Sequence, residues 1–201
     1  MQVRLSPSIE QLIRSLQKLP GVGQKSAQRM ALRLLGQRQQ DAADIALAIG
    51  RALEAVRPCS RCRNLCEAEF CQICEDDGRD ATALCVVASP LDLITIEHTG
   101  IFRGYYFVLQ GLLSPIDGIG PDEIGLSELE KRLDESGLDE VILATDSTVE
   151  GAATAHFIAE LAQQRGIRLT TLAQGVPMGG QLGAVDSITL GHALSGRKPY
   201  A

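Results

Sequence analysis

Apolar residues in the first third of the chain recur at helical spacing. Ile9, Leu12, Ile13, Leu16 and Leu19 form one stripe, which predicts a helix over 8–18 with Ser8 as N-cap behind Pro7. Pro20-Gly21-Val22-Gly23 must end it, and a second helix is expected over 24–35 with Ala27, Met30, Ala31, Leu34 and Leu35 facing inward. A third, over 41–57, carries Ile45, Ala48, Ile49, Ala52, Leu53 and Val56 at the same spacing. That stripe reads as core, packed on the hairpin or on a second subunit. Past residue 81 the period changes. A short apolar run at 84–87 predicts a strand, further strands are expected at 105–109, 141–144 and 168–171, and 90–98, 127–136 and 148–164 predict the helices between them. Ser127-x-x-Glu130 reads as a capping box for the second of these helices. The alternation implies a small parallel sheet with helices on its faces. Functional groups in such sheets collect beyond the strand C-termini, which directs attention to Ala88, residues 110–121 and residues 146–151. A loop over 175–183 and a terminal helix over 185–194 follow.

Between the helical third and the sheet lie Cys59-Ser-Arg-Cys62 and Cys71-Gln-Ile-Cys74, two C-x2-C pairs separated by eight residues. Each pair can grip one ion from a tight turn, and two such turns complete a tetrahedral four-thiolate site, for which Zn2+ is the usual occupant. Four protein ligands leave no open position for water, so the zinc is expected to be structural. A pair of disulfides is the competing reading, but no apolar secretory segment precedes the cysteines, and a reducing compartment favours metal. Cys66, at the tip between the pairs, is expected to be a spare thiol, and Cys85 a small buried hydrophobe.

Composition narrows the class. The chain has 201 residues, 45% hydrophobic and 22% charged, which is the makeup of an ordinary soluble protein. Pro90, Asp92 and the glycine-rich loops interrupt every apolar run, so no membrane span is expected and the cytoplasm is the default location. Aromatics are only 3% and Trp is absent, which argues against a base-stacking platform and for nucleic-acid contact mainly through the backbone. The net charge of -6 is unevenly spread: residues 1–57 hold nine Lys/Arg against four Asp/Glu, whereas residues 80–201 hold seven against sixteen. A basic module on an acidic body suggests a polyanion partner for the first part.

Helix, Leu19-Pro-Gly-Val-Gly23, helix resembles the helix-hairpin-helix motif of DNA-binding proteins that do not read sequence. Gly21 and Gly23 let the backbone approach a phosphate, the second helix offers the positive end of its dipole, and Lys25 and Arg29, one turn apart, can add charge-assisted contacts. Taken with the site of four cysteines and the acid-bearing sheet, four strings make the whole chain resemble the RecR family of bacterial recombination mediators. They are Leu19–Met30, Leu112-Leu-Ser-Pro-Ile-Asp-Gly-Ile-Gly120, Ala144-Thr-Asp-Ser-Thr-Val-Glu-Gly151 and Gly175-Val-Pro-Met-Gly-Gly-Gln-Leu182. The resemblance implies an α/β multi-module architecture with four parts. These are a helix-hairpin-helix DNA-binding module (1–57), a four-cysteine zinc finger (58–79), a Toprim-like four-stranded parallel domain (80–174) and a C-terminal tail with an oligomerising helix (175–201). It further implies a cytoplasmic, nucleoid-associated ring homotetramer that clamps single- and double-stranded DNA. Such a ring acts with RecO and RecF to help load RecA on single strands.

Toprim domains in topoisomerases and primases are enzymes, so the acids need their own test. Those enzymes resemble one another in clustering one glutamate and a D-x-D pair around Mg2+. Here Ala88 stands where RecR-like proteins often have the glutamate, and the later site reads Asp146-Ser-Thr-Val-Glu150. Two acids hold at best a weak, water-rich Mg2+. Ser147-x-x-Glu150 also reads as a capping box, and a family-style role for Glu150 in docking RecO is compatible with either. No G-x-x-x-x-G-K-[ST] is present, and Gly183 stands where RecR-like tails often have glutamate, which lowers any reading of Leu182–Asp186 as a nucleotide-binding strand. His98, His156 and His192 are scattered, without spacing to a nucleophile. The expected function is binding without chemistry. The competing classes are a Mg2+-dependent Toprim nuclease, primase or strand-passage enzyme, whose tyrosine would be Tyr105, Tyr106 or Tyr200, and a C-x2-C thiol redox protein.

Overall fold

The computed structural model describes residues 5–197 and 199, which divide into two compact units, one up to Val56 and one from Arg57 onward. In the first, α1 (Pro7–Leu16), α2 (Gln24–Gln37) and α3 (Gln39–Ala55) follow one another with short turns. Helix α1 starts slightly earlier than the apolar stripe suggests. Pro7 fits the first helical position because it needs no N–H partner there, so the cap is Ser6, whose side chain accepts from Ile9 N at 3.5 Å, and not Ser8. Ile13, Ala27 and Ala31 are buried, with Leu5, Ile9, Leu12, Leu16 and Val22 packed around them. The two alanines let α1 and α2 approach closely. Met30 and Leu35, expected inward, are exposed, and Leu19 lies beyond the end of α1 and is exposed too.

Helix α3 departs furthest from expectation. No residue of it is buried, and Ile45, Ile49 and Leu53 stand half or more exposed. The apolar stripe is real, but it is not core of this single chain.

The second unit begins with a small knuckle. Strands β1 (Arg57–Pro58) and β2 (Leu65–Cys66) pair antiparallel, and the short helix α4 (Gln72–Glu75) follows. The main sheet is built from β3 (Asp80–Val87), β4 (Gly104–Val108), β5 (Glu140–Ala144) and β6 (Arg168–Thr171), all parallel, in the order β4-β3-β5-β6. The crossovers carry α5 (Pro90–Glu97), α6 (Pro121–Ile124), α7 (Leu126–Leu133) and α8 (Val149–Gln163). After β6 come a 3-10 turn at Leu182–Ala184 and α9 (Ser187–Ser195), capped by Asp186. One face of the sheet buries Leu84, Val86, Tyr105, Phe107, Val141 and Leu143 with Leu129, Leu133 and Ile158 from the helices. The other buries Cys85, Val87, Tyr106, Val108 and Ala144 with Leu93 of α5. Burial on both faces explains the continuous apolar runs at Leu84–Val87 of β3 and in β4, whereas β6, at an edge of the sheet, has no buried residue.

Two expected capping boxes are absent. Helix α7 is capped by Gly125 in the left-handed region, and the Ser127 hydroxyl donates to Asp122 at 2.8 Å instead, while Glu130 pairs with Arg165. Helix α8 is capped by Thr148, whose oxygen accepts from Gly151 N at 3.0 Å, and Ser147 is taken by Gln174. Glu150 still sits in the first turn, where an acid suits the helix dipole. A box missed from sequence opens α5: Ser89 and Asp92 cap each other's backbone.

Candidate nucleic-acid interface and metal centre

The hairpin turn between α1 and α2 depends on Gly21, whose φ of +74° is a backbone conformation that side chains disfavour. Val22 N closes the turn onto the Leu19 carbonyl at 3.1 Å, and Val22 packs against the small α1–α2 core. Gly23 then caps α2 without a side-chain bond, and the first turn of α2 holds no acid. Among the described residues, chain neighbours aside, no atom comes within 4 Å of where a side chain would project at Gly21 or Gly23, so the approach to the helix start is open. Lys25 and Arg29 are exposed one turn apart on the helix that begins there. A turn held by a small apolar core, an open helix start and nearby cations are the features that an anion site at a helix N-terminus requires.

Cys59, Cys62, Cys71 and Cys74 are brought together by the knuckle. All four are buried, and their sulfurs lie within 4.8 Å of one another. A tetrahedral site with Zn–S bonds of about 2.3 Å places its sulfurs about 3.8 Å apart. The Cys62 and Cys71 sulfurs are 3.5 Å apart, and none of the described cysteines forms a disulfide. Backbone N–H groups already point at two of the sulfurs: Cys71 N donates to Cys59 Sγ at 3.3 Å and Asn64 N to Cys62 Sγ at 3.5 Å. Such bonds stabilise thiolates around a metal. Four buried sulfurs this close together stand where a divalent cation would neutralise several thiolates at once. The donor set fits a structural zinc, which supplies cross-linking rather than catalysis. Cys66 stays outside the cluster and donates to the Ala68 carbonyl at 3.0 Å, as a spare thiol should.

The knuckle is part of the sheet unit. Val108 N of the edge strand β4 donates to the Cys62 carbonyl at 2.9 Å, and the Gln110 amide donates to the Arg63 carbonyl at 2.7 Å. Below it, the nearly buried Arg79 pairs with Glu97 and donates to the Gly104 carbonyl at 2.9 Å. Pinning the cysteines therefore pins the edge of the sheet.

Beyond the C-terminal ends of the strands is an open cleft lined by Ala88, Asp92, Asp117, Asp146 and Glu150, among others. Its acids are differently employed. Asp92 caps α5, and Asp117 accepts from the Ser114 hydroxyl at 2.6 Å. Asp146 and Glu150 remain, four residues apart, beside the alanine. Among the described residues no three carboxylates bring their oxygens within 4.8 Å of one another. Tyr105 and Tyr106 are buried and engaged, donating to the Asp76 carbonyl at 3.0 Å and to Glu97 at 2.9 Å; Tyr200 lies outside the described residues. His98, His156 and His192 are exposed, and His156 faces Glu160 one turn on. Sequence reasoning missed a cationic cleft between the knuckle and α7, because Arg61 and Arg132 are far apart in the chain.

Four family models match in succession. They are described as the helix-hairpin-helix of RecR (residues 9–53), the four-cysteine zinc finger domain of RecR (56–76), the Toprim domain (82–173) and the C-terminal part of RecR (175–198). Among relatives, a Recombination protein RecR of Hahella chejuensis is 57% identical over the whole of both chains. Those of Stutzerimonas stutzeri and Alcanivorax borkumensis are 54% and 50% identical over 98% and 97% of this chain, and 98% of their own.

Proposed function

The chain belongs to the RecR family, and on that premise we propose that it is a recombination mediator that clamps DNA and performs no chemistry on it. The observation that carries this reading is the open, acid-free start of α2 behind Gly21, with Lys25 and Arg29 beside it. Gly21 and Gly23 admit the phosphate, and Lys25 and Arg29 neutralise it. A single hairpin making a few phosphate contacts binds feebly, so several copies closed into a ring homotetramer gain by acting together. The exposed stripe on α3 supports burial between copies. The division into modules 1–57, 58–79, 80–174 and 175–201 follows, with Cys59, Cys62, Cys71 and Cys74 as the zinc ligands and the tail as an oligomerising element.

The degenerate Toprim edge, with Ala88 beside Asp146 and Glu150, serves as a docking surface for RecO and RecF in loading RecA, in a cytoplasmic, nucleoid-associated protein. A strand-processing enzyme needs a metal held by converging acids, and two acids next to an alanine do not supply it. The test is direct. Labelled single- and double-stranded DNA incubated with the zinc-loaded protein should emerge intact with or without Mg2+ and be retained in salt-sensitive complexes. Mg2+-dependent scission or synthesis would establish the enzyme instead.

A further inference from the structure

Between the zinc knuckle and α7 lies a cleft of about 560 Å3, wholly within the unit from Arg57 onward. Its lining contrasts with the acidic body around it. Arg61, Arg63, Lys131 and Arg132 face two carboxylates, Glu128 and Glu135, and both carboxylates are already paired, with Arg63 and Arg132 respectively. Arg132 is buried to 6% exposure, yet Glu135 is its one side-chain partner among the described residues, and it meets that acid through Nη1 alone. The Arg61 guanidinium lies 4.5 Å over the Tyr105 ring and has no carboxylate partner among the described residues. Phe70, 39% exposed, stands in the same wall.

Arg61 and Arg132 line the cleft together with Cys74 of the cysteine cluster, and Arg61 has no carboxylate partner among the described residues. Cations with unused donors, converging in a cleft of ligand size beside an exposed aromatic ring, match the chemistry of a nucleotide: anionic phosphate at one end and a flat base at the other. An acidic peptide would use the cations and leave the ring idle.

We propose that this cleft takes one nucleotide of a single DNA strand, its phosphate among Arg61, Lys131 and Arg132 and its unstacked base against Phe70. The site rests on the reading of the chain as a DNA binder, but on residues separate from the hairpin. It adds one base contact to nucleic-acid binding that is expected to be mainly through the backbone.

The test uses the full-length, zinc-loaded protein and an oligo-dT strand carrying one 5-iododeoxyuridine, irradiated at saturation and mapped by mass spectrometry. A cross-link in the peptide containing Phe70 is expected, lost in Phe70→Leu. Lys131→Glu, on an exposed position, should weaken strand binding about tenfold with zinc content and melting temperature unchanged. In Lys25→Glu/Arg29→Glu, more strand is needed, but the Phe70 cross-link persists at saturation. Displacement of the strand by free dTMP at equal nucleotide concentration would keep the site and make the mononucleotide its source. Cross-links confined to the hairpin, with Phe70→Leu and Lys131→Glu binding like the parent, would overturn the cleft and leave the hairpin reading standing. Loss of all binding to DNA by the parent would overturn both. Displacement by polyglutamate more readily than by oligo-dT would turn the cleft into an acidic-peptide site.

Discussion

Arg63 is held from both sides. Its backbone sits at φ +63°, its guanidinium donates to the Ile124 carbonyl at 3.2 Å, and the space that a side chain at position 125 would need is filled by that guanidinium. Gly125 is itself at φ +83°. Gly125→Ala should therefore destabilise the sheet unit by about 1–3 kcal/mol, from the strained backbone and the displaced arginine, visible as a lower urea midpoint with unchanged zinc content. Cys85 makes a different kind of prediction. Burial pushes its thiol up to about 12 from an ordinary 9.0. The folded state holds the proton more tightly than the unfolded chain, so the contribution is fully present below about pH 9 and is lost as pH rises towards 12. Melting temperatures measured across that range should fall more steeply for the parent than for Cys85→Ala, and Cys85 should resist alkylation until the chain unfolds.

At the scale of elements, the knuckle is the most legible part of the sequence, because C-x2-C pairs are local and their chemistry fixes the turn. What the spacing does not reveal is the docking: the Cys62 carbonyl meets Val108 of β4, a hydrogen bond between residues set far apart in the chain. Cys62→Ser, or chelation of the metal, should therefore release zinc and also loosen β4. Hydrogen exchange at Val108 N should rise in step with zinc loss; protection that persists without zinc would mean that the knuckle does not support the sheet. Helix caps are legible only to within a residue or two. Ser6 competes with Ser8, and Thr148 with Ser147, and the choice is made by the nearby proline in one case and by Gln174 in the other. Ser127 is diverted to Asp122 in the same way. The central strands are clear because Leu84–Val87 of β3 and all of β4 are buried on both faces, whereas the cleft of Arg61, Phe70, Lys131 and Arg132 is invisible in the sequence, since only the fold brings those residues together.

For the whole molecule, the periodicity of α3 is plain in the sequence and its environment is not. Ile45, Ile49 and Leu53 form an apolar face that the single chain leaves exposed, and sequence periodicity cannot say which molecule covers a stripe. If copies of the chain cover it, Leu53→Glu should lower the mass measured in solution by light scattering while leaving the circular dichroism and zinc content unchanged. A mass identical to the parent's would remove α3 from the assembly. If copies of the chain assemble, each would bring its own pair of cations to the strand, so assembly and DNA binding should be linked. The most direct measurement is the salt dependence of DNA affinity for the parent and for Lys25→Glu/Arg29→Glu, each at matched oligomeric state. The slope of log affinity against log salt should become shallower by about one for each phosphate no longer neutralised, with affinity falling on single- and double-stranded DNA of any sequence. An unchanged slope and affinity in the variant would contradict the assignment of the hairpin as the phosphate-holding element.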